Sequence, residues 1–466
     1  MYNKNCGKKM FGKKIYPAPG GNLMNPVVLK NMGGKMTKFM LKWVPTPKQF
    51  RKRRVPMQKQ IQKLLNIDDN FTIKDIKVQG EESIIFCEWK RRAYVCPECG
   101  EKVKAIHQYH GRRKVLHEIK SDRKRVYISY PNIRLKCTKC SKIFTLRSKS
   151  IFPWLRVTSH MLLSILDRLR SSSFKKLANL SGISPTTLRK YARVLLRNEL
   201  DWKVFEKQEK IRLGIDEHSI SGRKKMALLV VELVSSTPVA VLPTHKKEEL
   251  AGFLNTIPPY AKRKIDEVVI DLNSGYKNAI RKALPHVRIV ADPFHVVRDA
   301  NKRLDDERKV AEEVYFALNN TRRRIPKRCL MMGKEKLRGR KKVKLQEILS
   351  QHDNIRVFYH FKEKVRSLYK AKNYKEAQKI LESILEEMRS YKMWPALRRW
   401  QKSLERWHDE ILNYFISKSS NGKVEGYNAV VKLLKRISFG MRNPELYAKK
   451  IMLGLVPMRF SPQVLT

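Results

Sequence analysis

The run Ile211-Arg212-Leu213-Gly214-Ile215-Asp216-Glu217-His218-Ser219-Ile220 alternates in parity. Extended as a strand, it turns Ile211, Leu213 and Ile215 to one side and Arg212, Gly214 and Asp216 to the other. Such a strand needs a sheet around it and a covered aliphatic face, and it delivers Asp216 to the opposite face near its end. A second strand, Val268-Val269-Ile270, runs directly into Asp271. A third acid, Glu425, falls in Ser420-Asn421-Gly422-Lys423-Val424-Glu425-Gly426, on a predicted helix far downstream. Hard divalent cations take carboxylate oxygens, and Mg²⁺ or Mn²⁺ suits such a set. We therefore expect Asp216, Asp271 and Glu425 to meet and hold two such ions, the arrangement that serves phosphoryl transfer without a covalent nucleophile.

The segment around the first two acids has the rhythm of a mixed sheet. Strands are expected at Ile211 to Asp216, Met226 to Leu233 and Pro238 to Leu242. A helix at Lys247 to Thr256, a strand at Asp266 to Asp271, a helix at Ser274 to Leu284 and a strand at Val287 to Ala291 follow. Three sequential strands, a helix, then alternating strand and helix is the order of a ribonuclease-H-like fold. Each acid also has a plainer reading. Glu217 competes with Asp216, and strand parity decides for Asp216. Asp271 competes with Asn273 and Ser274 for a helix cap, and those two are better placed. Asp292-Pro293 is what a helix N-cap looks like, while His295 is read as contacting DNA or orienting the metal cluster; both are supporting residues here, not ligands.

Length and charge bound what surrounds this core. A chain of 466 residues spans several domains. Its 101 Lys+Arg against 43 Asp+Glu give a formal charge of +58. Self-repulsion on that scale calls for a polyanion, and duplex DNA, whose binding gains from counterion release, is the expected partner. No apolar run long enough to cross a bilayer occurs, and no secretory signal opens the chain; a cytoplasmic, nucleoid-associated protein is expected.

The fold class read from the sequence is multi-domain α+β. Residues 1–60 are a basic arm containing Arg51-Lys52-Arg53-Arg54. Residues 61–150 form a zinc-ribbon-like module. Its Cys96-Pro97-Glu98-Cys99 and Cys137-Thr138-Lys139-Cys140 pairs offer four thiolates, the tetrahedral set structural Zn²⁺ prefers. His107, His110 and His117 also lie between the pairs, but with four thiolates available none is needed in place of a cysteine. Strands are expected at Phe71 to Val78, Ser83 to Trp89, Val126 to Tyr130 and Ile133 to Leu135. Residues 151–205 read as a helix-turn-helix. Ala178 is the small residue at the crossing, Gly182 the turn, Ser184 the cap and Pro185 the first helical position. Thr186, Thr187, Arg189 and Lys190 would then face the major groove; the plain alternative is a helical hairpin packed on the core. Residues 206–295 begin the catalytic core and residues 296–416 are an all-helical insertion. The insertion's tryptophans, Trp400 and Trp407, either present a stacking surface or fill its core. Residues 417–466 return to the core, with Val424, Tyr427, Val431 and Leu434 as an apolar stripe. Glu425, Asn428, Lys432 and Arg436 lie on the adjacent face, the last two placed against a phosphate backbone.

Four strings together resemble the bacterial insertion-sequence transposases of the ISL3 group, which carry a DDE-type domain. They are Gly214-Ile215-Asp216-Glu217; Asp271 with Gly275-Tyr276; Val290-Ala291-Asp292-Pro293-Phe294-His295-Val296 with Asn301; and Ser420-Asn421-Gly422-Lys423-Val424-Glu425-Gly426-Tyr427-Asn428 with Lys435-Arg436. The likeness covers roughly residues 90 to 450. It implies DNA cleavage at element ends and strand transfer, with Asp216, Asp271 and Glu425 as the acidic triad. Coupling two ends implies at least a homodimer on DNA. The competing reading is a sequence-specific DNA-binding protein, a repressor or domesticated relic, on an inactive nuclease fold.

Overall fold

The computed structural model describes residues 57–90, 92–148, 150–151, 155–221 and 225–456. The basic arm expected over residues 1–60, with its run Arg51-Lys52-Arg53-Arg54, lies outside the described residues up to position 56. By its internal contacts the chain divides between Ile61 and Gln62, and the architecture below is that of the second unit, Gln62–Thr466. Among the described residues no helix is long and apolar enough to cross a membrane.

After a short helix α1 (Met57–Leu64), the front of the chain builds a sheet from β1 (Phe71–Gln79), β2 (Glu82–Trp89), β5 (Ile106–Ile119), β6 (Arg125–Lys136) and β7 (Ile143–Thr145). The order is β1-β2-β6-β5, with β7 also on β6. A two-strand ribbon, β3 (Tyr94–Val95) and β4 (Lys102–Val103), carries the first cysteine pair. β2 alternates, burying Ser83, Ile85, Cys87 and Trp89, as a half-buried strand should. The two strands expected at 126–130 and 133–135 are one strand that passes through Pro131. Proline cannot donate to a ladder. The partner strand bulges opposite it, between Tyr109 and Arg112, with Gly111 at φ 70°. The Pro131 carbonyl accepts from the Trp89 indole at 2.8 Å.

Three helices follow: α2 (Ser159–Arg170), α3 (Phe174–Ser181) and α4 (Pro185–Leu195). Thr158 caps α2 by accepting from the Met161 amide, and Ser173 caps α3 through the Lys176 amide. Gly182 ends α3 at φ 68°, a left-handed position that suits a residue without Cβ. Ser184 caps α4 through the Thr187 amide, with Pro185 at its first position.

The second sheet has the order β10-β9-β8-β11-β12, from β8 (Ile211–Ser221), β9 (Lys225–Glu232), β10 (Thr237–Leu242), β11 (Ile265–Ile270) and β12 (Arg288–Ala291). β8, β11 and β12 are parallel; β9 and β10 are antiparallel additions. Helices α5 (Lys247–Thr256), α6 (Pro259–Lys262) and α7 (Ser274–Ala283) lie within this segment. Ile211, Leu213 and Ile215 join one core; Leu229, Val231, Val269 and Val290 join the core on the other face with α2, α4 and the chain's last helices. Both faces are covered, so the central strands are buried nearly throughout, as parallel sheets require.

Residues 296–416 are helical without a strand among the described residues. They run through α8 (Pro293–Asn319), α9 (Lys327–Met331), α10 (Arg340–Gln351), α11 (Asp353–Leu368), α12 (Tyr374–Ser390), α13 (Pro395–Arg406) and α14 (His408–Ser417). Trp400 and Trp407 are core residues, Trp400 stacked on Phe358, so neither offers a free face. α14 is pinned to the sheet side. Buried Glu410 takes Lys277 at 2.7 Å and Arg281 at 2.8 Å, and Asn413 donates to the Ile289 carbonyl of β12. The chain ends with α15 (Gly422–Ile437) and α16 (Pro444–Leu455). The last is buried almost all round beside β10 and has no polar face for periodicity to detect.

Candidate active site and metal centres

Strand register brings the first two acids together. On adjacent parallel strands Gly214 of β8 pairs with Val269 of β11, so Asp216 and Asp271, each two residues on, emerge side by side where that pairing ends; β8 itself runs on to Ser221 along β9, past the end expected at Asp216. β12 adds a third: Ile270 pairs with Ala291, placing Asp292 beside them. Carboxyl ends of parallel strands are where open α/β sheets place ligands.

The ligand atoms of Asp216, Asp271 and His295 all lie within 4.8 Å of one another. The close group is thus two aspartates and a histidine, not three carboxylates. Glu425 is exposed in the first turn of α15, where the helix dipole favours an acid. It lies outside that close group, yet near enough that its charge adds to the upward push on Asp216. Burial, then repulsion from Asp271, raises the Asp216 carboxyl to about 6. Its two oxygens are already engaged, accepting from the Glu217 amide at 2.8 Å and the Asn428 side-chain amide at 2.6 Å.

Asp292 stands at the N-cap position of α8 but its side chain accepts from no backbone amide of that helix. Its carboxylate instead accepts from the backbone amide of Asn421, at the start of α15 (2.9 Å), and lies 3.0 Å from His295 Nδ1. The local cap reading of Asp292 gives way because a distant helix start offers the better partner. His295 Nδ1 is also 2.9 Å from Asp271 Oδ1, so the ring nitrogen stands between two carboxylates. Burial works against the imidazolium, but the two carboxylates outweigh it and raise His295 to about 10. Arg298 and Lys302 sit on the open rim beside Asp271 and His295.

α15 reaches this cluster because Gly214 lets it. A Cβ on Gly214 would stand 2.7 Å from Asn421 Oδ1, Leu233 and Val424. Asn421 donates to the Ile215 carbonyl at 3.0 Å, Tyr427 to Ser236 at 2.7 Å and Lys435 to Ser219 at 3.0 Å, so the helix is tied along β8 and its neighbours. Asn421, Glu217 and Tyr276 enter the sequence reading within the family-like strings, Glu217 also as the rival of Asp216, but the 2.6 Å bond from the Tyr276 hydroxyl to Glu217 and the Asn421 contacts have no local pattern to announce them. Asn428 was placed beside Glu425, without its bond to Asp216. Of the residues expected to face DNA, Thr186, Arg189, Lys190, Lys432 and Arg436 are exposed; Thr187 is half-buried, its hydroxyl 2.9 Å from Ser184.

The second centre is the cysteine set. Cys96, Cys99, Cys137 and Cys140 group together without a histidine. Sulfur pairs Cys96–Cys140 and Cys99–Cys137 stand 3.7 and 3.5 Å apart, close to the roughly 3.8 Å that four thiolates take around tetrahedral zinc. The Cys140 amide, donating to Cys137, lowers that thiol to about 7. The four-cysteine cluster fits zinc. Of the histidines weighed as substitutes, His117 is buried and bonded to Thr158 and the Leu65 carbonyl, and His107 and His110 are exposed on β5.

Comparison with known proteins gives consistent findings. A family model described as transposase, of the ISL3 DDE type, matches residues 213–451. The transposase for insertion sequence element IS1001 of Bordetella parapertussis is 24% identical over 378 residues, 80% of this chain and 91% of that protein. The transposase for insertion sequence element IS1557 of Mycobacterium tuberculosis is 26% identical over 271 residues, 53% of this chain and 61% of that one.

Proposed function

Because the chain belongs to the ISL3-type transposase family, we propose that it binds the ends of a mobile element, cuts DNA there and joins those ends to target DNA. The acidic set is Asp216, Asp271 and Glu425, with Asp292 and His295 supporting it. The observation that carries this reading is the convergence of Asp216 and Asp271 where the pairing of two adjacent parallel strands ends. The sheet order supports a ribonuclease-H-like core, with residues 296–416 as its helical insertion.

The residues fit Mg²⁺ or Mn²⁺. The donors are hard oxygens grouped within 4.8 Å of one another, and the buried Asp216 lacks a lysine or arginine ion pair among the described residues. Bound by Asp216, Asp271 and Glu425, such cations supply activation of an attacking hydroxyl and stabilisation of a leaving oxygen. The chain's own groups do the rest. Asn428 fixes the Asp216 carboxylate, and Asp292 holds the His295 ring against Asp271. Arg298, Lys302, Lys432 and Arg436 hold phosphates near the acids. The helix-turn-helix of α3 and α4 supplies duplex recognition through Thr186, Thr187, Arg189 and Lys190, and two copies hold two ends.

The test is cutting of a duplex that carries the DNA flanking the gene. Nicking that requires Mg²⁺ or Mn²⁺ supports the reading. Binding without nicking in either metal would sink it and leave a DNA-binding protein on an inactive core.

A further inference from the structure

A groove of about 900 Å³ runs between the α3–α4 pair and the turn that joins α15 to α16. Five cations line it: Lys175, Lys176, Arg189, Arg193 and Arg442, all exposed. None of the five makes an ion pair among the described residues, and no carboxylate is among the lining residues. At its edge stands Phe439, 84% exposed. A lone aromatic this exposed, in a field of cations, is not the broad apolar patch that a protein partner needs.

The turn is built to hold that ring out. Phe439 has φ 49°, a left-handed conformation unfavourable for a bulky side chain. The residue before it, Ser438, is buried. Its hydroxyl donates to the Leu434 carbonyl at 2.6 Å and is also bonded by buried Lys450. Gly440 follows at φ 77°, where only a residue without Cβ turns freely. Arg189, on one wall, is steadied over the Phe174 ring at 5.8 Å. Phe439 lies two residues past the end of α15, whose stretch from Glu425 to Ile437 is about 18 Å at 1.5 Å per residue.

We propose that this groove takes the phosphate backbone of duplex DNA and that Phe439 wedges into the base stack, opening one step. The inference rests on the transposase reading of the chain. Cations without carboxylate partners match the polyanion. Apolar side chains that unstack a step act from such positions, and base–aromatic stacking rewards the opened base. α15 then links the turn that carries the wedge to the acidic cluster, with the opened step about five base pairs from the reacting phosphate at 3.4 Å per pair.

The full-length protein is titrated into a duplex carrying the DNA flanking the gene, with 2-aminopurine placed at successive positions. The expected result is a fluorescence rise confined to one or two neighbouring positions. Phe439→Ala abolishes the rise, and Phe439→Trp restores unstacking. Arg442→Ala and Lys176→Ala each weaken binding and lower the salt slope by about one. A wild-type complex with no fluorescence change, or a rise that persists in Phe439→Ala, would overturn the wedge while leaving the transposase reading in place. Failure of the wild-type protein to bind this duplex at all would overturn both.

Discussion

The side-chain amide of Asn428 donates to a carboxylate oxygen of Asp216 at 2.6 Å, joining residues 212 positions apart. That bond ties the helix carrying Glu425 to the strand carrying Asp216, so the relative placement of the two acids depends on it. Asn428→Ala removes the donor and lets the carboxylate turn. We expect metal-dependent nicking to fall about 10–100-fold, with DNA binding unchanged in a gel-shift assay. An equal loss of binding and nicking would assign Asn428 to the fold alone.

The raised Asp216 carboxyl predicts a pH dependence. Burial and the neighbouring Asp271 hold its proton up to about 6. A cation needs the deprotonated form, so affinity is full above that value and is lost as pH falls through it. Mn²⁺ titration calorimetry from about pH 8 to about pH 5 should show affinity dropping by up to tenfold per pH unit at the acid end. A flat profile would mean Asp216 is not a ligand.

The cysteine cluster predicts a zinc-dependent front module. Cys137 and its three partners are spaced as tetrahedral thiolates are. Protein purified without chelator should release zinc on thiol modification. Cys137→Ser should purify with little zinc and lose the cooperative unfolding of residues 62–151, by several kcal/mol at least. Hydrogen exchange across β5 and β6 reads this directly; unchanged protection in the zinc-free variant would refute it.

Much of this was legible in the sequence, for identifiable reasons. Asp216 was placed by strand parity, and Asp271 by the apolar run before it; both signals are local. The caps at Thr158, Ser184 and Asn273 follow from residue type and position. What stayed hidden was long-range. Asp292 looks like a cap for its own helix, yet bonds the Asn421 amide 129 residues away. The Asn428–Asp216 bond likewise has no local pattern. α16 was unread because a helix buried on nearly all sides lacks the polar stripe that periodicity needs. β5 was unread because its residues 106–113, largely exposed and basic, lack the alternation of a half-buried strand.

The central claim is that Asp216, Asp271 and Glu425 grip cations against a DNA strand, and Asp271→Asn tests it most directly. The substitution keeps size and shape and removes one charge beside His295. On the duplex carrying the DNA flanking the gene, with Mg²⁺ or Mn²⁺, the account predicts wild-type binding with nicking reduced by at least about a hundredfold. An Asp271→Asn protein that nicks at the wild-type rate would contradict it.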